Sequence, residues 1–67
     1  MPKLYSSKKI EKVLKNKGFI FTSQKGSHGK FTNGTRTTIV PMGRKEMPQG
    51  TFGSILRQSG LVKEDFK

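Results

Sequence analysis

The chain contains a single histidine, His28, in the run Lys25-Gly26-Ser27-His28-Gly29-Lys30-Phe31. Imidazole has an ordinary pKa that lets it both take and give a proton near neutrality. Set just past a Gly-Ser turn, between Lys25 and Lys30, it could bring acid–base chemistry to a polyanion drawn in by the flanking ammonium groups. Other chemistries find little to work with. There is no cysteine, and four carboxylates are too sparse for a two-carboxylate mechanism. One histidine without cysteines leaves no Cys/His metal site and no disulfide. Neither a phosphate-loop nor a dinucleotide-binding glycine pattern is present. The expectation is a site that uses neither metal nor cofactor.

Charge points to the same kind of substrate. Fourteen Lys and Arg against four Asp and Glu give a formal net charge of +10. So basic a chain attracts phosphate polymers or acidic surfaces, with an affinity that falls steeply as salt is added. No apolar run approaches the roughly 18 residues of a membrane span, and the N-terminus lacks the apolar stretch of a secretion signal. A cytoplasmic protein without membrane association is expected. Sixty-seven residues with 30% apolar content make one domain, 1–67, whose core must come from a few positions, five phenylalanines among them.

The elements that must position His28 follow from pattern. Met1 to Tyr5 forms a lead-in from which Leu4 and Tyr5 can pack on the first helix. Ser6 and Ser7 offer an N-cap. From Lys8 to Lys17, Ile10, Val13 and Leu14 share one helical face, and Gly18 supplies a left-handed stop. Phe19 to Lys25 reads as a strand with Phe19 and Phe21 on one face, and Gly26-Ser27 permits a tight reversal. His28 to Thr32 is a second strand and Asn33-Gly34 a hairpin signal. Thr35 to Val40 is a third strand, closed by Pro41. Met42 to Gly50 is a loop bearing Arg44 and Lys45. Thr51 to Ser59 is a second helix with Phe52, Ile55 and Leu56 as its stripe, ended by Gly60, after which Phe66 can tuck back. The fold class is α+β: α-β-β-β-α, a three-stranded antiparallel sheet with both helices on one face.

Register decides which way the histidine points. A two-residue Asn33-Gly34 loop sets Phe31 opposite Arg36 and His28 opposite Ile39. A loop one residue longer, with a bulge at Gly34, sets Phe31 opposite Thr37 and turns Phe31 and Ile39 together toward the core. His28, Lys30 and Thr38 then share the exposed face. The second option is preferred because a misaligned strand would bury charge.

Four landmarks in order now resemble a known family: Gly18-Phe19 after the first helix, Lys25-Gly26-Ser27-His28 into the second strand, Val40-Pro41-Met42 after the third, and Gly50-Thr51-Phe52-Gly53-Ser54-Ile55-Leu56-Arg57-Gln58-Ser59-Gly60-Leu61. The last block is similar to the closing Gly-Thr…Ile-Leu-Arg-Gln-Ala-Gly-Leu of the HicA toxins, the small basic partners in HicA–HicB toxin–antitoxin pairs. The resemblance implies a double-stranded-RNA-binding-domain-like fold and a ribonuclease that cleaves mRNA, with the Gly-Ser-His histidine, here His28, catalytic. It also implies a HicB-type antitoxin that covers this histidine. Family members often carry a second histidine just after the Val-Pro segment, where this chain has Gly43, so a two-histidine acid–base pair is not implied.

RNA carries its own nucleophile, the 2′-hydroxyl, so such an enzyme needs no metal. On this reading neutral His28 acts as general base, a step typically worth about 10²–10⁴-fold. Lys25, Lys30, and Arg36 or Arg44 stabilise charge on the phosphate, and Ser27 orients the ring or bonds a phosphate oxygen. The alternative is a non-catalytic double-stranded-RNA-binding module, in which Arg44 and Lys45 grip phosphates beside the second helix. A third class is a protein-interaction or ribosomal accessory protein whose charge neutralises RNA. A monomer is expected when the chain is free, and a heteromeric complex with an acidic partner otherwise.

Overall fold

Helix α1, Ser7–Asn16, begins where Ser6 turns extended and its hydroxyl oxygen accepts the Lys9 N–H at 3.1 Å. It ends in a Schellman arrangement: the Phe19 N–H reaches the Leu14 carbonyl at 2.9 Å and the Gly18 N–H the Lys15 carbonyl at 3.1 Å. Gly18 takes φ +92°, which a side chain would resist. Leu14 and Phe19 are both buried in the core cluster, so this cap also turns the chain into the core. In this computed structural model, which describes residues 4–67, three strands follow in a meander: β1 Ile20–Lys25, β2 His28–Thr32 and β3 Thr37–Pro41, in the order β1-β2-β3. Helix α2, Gln49–Ser59, and a closing 3-10 turn, Lys63–Phe66, complete the chain. The α-β-β-β-α order and the α+β class are those the patterning gives. Residues 1–3 of the expected lead-in lie outside the described residues.

Ile10, Val13 and Leu14 of α1, Phe52 and Ile55 of α2, and Phe31 and Val40 of the sheet form one buried cluster with Phe19, Met47 and Phe66. Both helices therefore cover the same sheet face. Tyr5 joins the cluster's rim in an aromatic group, with ring centroids 5.3 Å from Phe52 and 5.9 Å from Phe66. This group fastens the last turn of the chain to the first. The 3-10 turn is held by Asp65, whose carboxylate accepts the Val62 N–H at 2.9 Å and meets Lys17 at 3.3 Å. The Val62 N–H above all, with Lys17 adding to it, keeps this carboxyl below the ordinary aspartate range. Among the described residues no helix is long and apolar enough to cross a membrane.

The β2–β3 register differs from both expected options. Thr32 pairs with Thr37, Phe31 with Thr38, Lys30 with Ile39 and His28 with Pro41. The turn centres on Gly34-Thr35 rather than Asn33-Gly34, and the Asn33 N–H donates to the Arg36 carbonyl at 3.1 Å. Asn33 spends its side chain inside the turn, its Oδ1 accepting the Thr35 and Arg36 N–H groups at 2.9 and 2.7 Å. Gly34 alone takes a positive φ, +92°, as the first central residue of a type II′ turn does. β3 consequently starts at Thr37, not Thr35, and Arg36 is consumed by the turn. The burial of charge that favoured the longer loop thus never arises.

The preferred expectation that Phe31 and Ile39 share the core is accordingly corrected. Thr38 and Val40 are fully buried, and Ile39 lies on the open face. Thr38 can be buried because its hydroxyl donates to Gln58 Oε1 at 3.0 Å. That same oxygen accepts the Ile39 N–H at 3.0 Å, so α2 covers one edge of the sheet.

Candidate active site

The register sorts the sheet into two faces, because paired residues point to the same side. Phe21, Phe31 and Thr38, then Gln24, Gly29 and Val40, form rows on the helix-covered side. The open side carries three other rows: Lys25, His28 and Pro41; Ser23, Lys30 and Ile39; Ile20, Thr32 and Thr37. A bulge at Thr22 restores this alternation at the end of β1, and the Thr22 hydroxyl donates to the Lys30 carbonyl at 3.1 Å.

His28 thus opens β2 at one corner of an uncovered face. Its cross-strand neighbour is Lys25, and Lys30 stands two residues farther along the same strand, roughly 7 Å of rise away. All three side chains are exposed, as is Ser27. The reversal between β1 and β2 uses Gly26 at φ +60°, which leaves Ser27 at the tip beside the imidazole. Gly29 has a different task. A Cβ there would stand 3.0 Å from Met42 Sδ and 3.3 Å from a Phe21 ring carbon, so its bare backbone lets Met42 pack beneath the strand.

Arg44 and Lys45 lie in the loop after β3. The Met42 N–H donates to the Ser27 carbonyl at 2.6 Å, which ties this loop to the histidine turn. Beyond it, a groove of about 420 Å³ runs between the loop and the start of α1; Ser7, Lys8, Glu11, Gly43, Arg44 and Lys45 are among its lining residues. Gly43, standing where a second histidine is frequent in the resembled family, is exposed with φ +76°. Arg36 is not brought to this corner. It lies in the turn at the far end of β2, against Gly60, where a Cβ would come within 2.8 Å of its Nε.

Among the described residues the ion pairs are Lys15 with Glu11 at 3.1 Å and Lys17 with Asp65 at 3.3 Å. Neither involves Lys25, Lys30, Arg44 or Lys45. Among the described residues no three His, Asp or Glu side chains come together. Sequence reasoning missed two residues of this groove, Lys8 in its lining and Ser7 in its floor. Ser7 is almost wholly buried; its hydroxyl donates to the Pro41 carbonyl at 2.6 Å and accepts the Arg44 N–H at 3.0 Å. Two consecutive serines at a helix start were the available signal, since only one of them is needed as the cap.

The open sheet face thus presents an exposed imidazole in a row with Lys25 and two residues from Lys30, on a sheet backed by two helices. No curated protein matches the chain. The model of the family described as the HicA toxin of bacterial toxin–antitoxin matches residues 7–61, which include every element from α1 to the end of α2 and every residue of the corner just described. The chain belongs to the HicA toxin family.

Proposed function

We infer that the chain is a metal-independent endoribonuclease that cleaves mRNA, with His28 as its general acid/base. The observation that carries this reading is the exposed imidazole on the open face in a row with Lys25, two residues from Lys30. Neutral His28 takes the proton of the ribose 2′-hydroxyl as that oxygen bonds to phosphorus. The bond from phosphorus to the 5′-oxygen breaks, which gives a 2′,3′-cyclic phosphate and a new 5′-hydroxyl. Lys25 and Lys30 balance the charge that builds on the phosphate oxygens, and Ser27 bonds one of those oxygens or orients the ring. Because Gly43 offers no second imidazole, the leaving oxygen is protonated by the same imidazolium, by water or by a lysine.

Arg44 and Lys45 hold neighbouring phosphates along the groove. Arg36, some 13 Å or more along β2 at about 3.3 Å per residue, serves only a phosphate at a distance from the cut. Membership in a toxin–antitoxin family implies an antitoxin partner. A HicB-type antitoxin that covers His28 with an acidic surface would silence the site and offset the +10 charge.

The test uses the purified full chain, freed of any inhibitor, incubated with an mRNA transcript in EDTA. Accumulating fragments are expected. A transcript that is retarded on a gel yet stays intact would contradict the nuclease and favour the non-catalytic double-stranded-RNA-binding module.

A further inference from the structure

Ser6 already caps α1 through its hydroxyl, so the hydroxyl of Ser7 is free for another purpose. Three hydrogen bonds give it one. The Ser7 N–H donates to the Arg44 carbonyl at 2.9 Å, its hydroxyl donates to the Pro41 carbonyl at 2.6 Å, and the Arg44 N–H donates back to the hydroxyl oxygen at 3.0 Å. One buried side chain thereby clamps both ends of the arch from Pro41 to Arg44. That arch is joined to the backbone on both sides of His28. Pro41 is the cross-strand partner of His28, the Met42 N–H holds the Ser27 carbonyl at 2.6 Å, and the Met42 side chain fills the space under Gly29.

We propose that Ser7 is a positioning residue for the cleavage reaction, holding the Pro41–Arg44 arch so that the Ser27-His28 turn and the Arg44 backbone keep a fixed relation. The inference rests on the nuclease reading above. Its chemistry is preorganisation: a misplacement of about 1 Å transmitted to a reacting group can cost on the order of 10²-fold in rate. Alanine at position 7 removes two of the three bonds and leaves the Arg44 N–H and the Pro41 carbonyl without their partner.

The control is a serine of like character at the other end of the molecule. Ser59 is 4% exposed, its hydroxyl donates to the Leu56 carbonyl and accepts the Leu61 N–H, both at 3.3 Å, and it sits at the end of α2 next to Gly60 and hence to Arg36. Full-length Ser7→Ala and Ser59→Ala proteins are compared at a temperature where both are folded. The readouts are single-turnover cleavage of an RNA oligonucleotide at saturating protein, RNA affinity at the same salt, and hydrogen exchange of the Met42 amide without RNA.

Ser7→Ala is expected to lower the single-turnover rate about 10–100-fold, to weaken RNA affinity far less, and to speed Met42 exchange. Ser59→Ala is expected to leave both the rate and that exchange close to wild type. Ser7→Ala behaving like Ser59→Ala in rate and exchange would overturn the proposal. A wild-type chain that cuts no RNA would defeat the nuclease reading instead, and Met42 exchange would still decide whether Ser7 holds the histidine turn. If Ser7→Ala does not fold, Ser7→Cys takes its place, because a thiol fills similar space but hydrogen-bonds weakly.

Discussion

Replacement of His28 by alanine is expected to reduce RNA cleavage by about 10²–10⁴-fold, the usual worth of a positioned general base, while leaving RNA affinity nearly unchanged. The two quantities separate because different groups carry them. The imidazole is one exposed side chain at the start of β2, with few native contacts to lose, so its removal should not disturb the fold. Affinity comes from phosphate contacts, and Lys25, Lys30, Arg44 and Lys45 remain. Cleavage assays and filter binding on the same preparations check this. A variant that still cuts at the wild-type rate would remove His28 from the chemistry. Loss of binding in parallel with cleavage would make it a substrate contact rather than a proton carrier.

The second large effect concerns the sheet that presents the imidazole. Phe31→Ala is expected to destabilise the protein by about 3–5 kcal/mol, the typical cost of deleting a buried aromatic ring. Phe31 is fully buried in the central strand, with its ring centroid 5.5 Å from that of Phe21 in an edge-on contact. A domain of this size has roughly 3–10 kcal/mol of total stability, so the variant should be largely unfolded or melt at least about 12 °C lower, at about 4–8 °C per kcal/mol. Ile39→Ala is the informative companion. Ile39 is 39% exposed on the open face, and its truncation should cost about 1 kcal/mol or less. Thermal unfolding of the two variants tests the register directly. Equal losses would mean that Ile39 faces the core and that the rows around His28 are wrongly aligned.

Much of this was legible in the chain itself. The 3.6-residue spacing of Ile10, Val13 and Leu14, the Gly18 stop and the turn signals at Gly26-Ser27 and Asn33-Gly34 gave the elements and their order, since each reflects a local rule. The lone imidazole among lysines gave the candidate site. The register was not legible, because Asn33-Gly34 and Gly34-Thr35 are both plausible turn centres and differ by one position. What decides between them lies far away in sequence: Gln58 of α2 satisfies the Thr38 hydroxyl, and that lets a polar residue enter the core. Lys25, Ser27 and Lys30 fell beside His28 because they are its neighbours along a hairpin. Arg36 did not, because the turn that absorbs it lies at the opposite end of the same strand. The role of Ser7 was hidden for the same reason as the register, its partners Pro41 and Arg44 lying more than thirty positions away.

On the nuclease reading this single imidazole works on RNA's own 2′-hydroxyl. That reading is tested most directly with an oligonucleotide that the chain cuts at one bond, compared with the same oligonucleotide bearing a 2′-deoxy sugar on the 5′ side of that bond only. The all-ribose strand is expected to yield a 2′,3′-cyclic phosphate end and a 5′-hydroxyl end, and the single deoxy substitution to abolish cutting there. Cleavage of the deoxy strand, or fragments that begin with a 5′-phosphate, would contradict it.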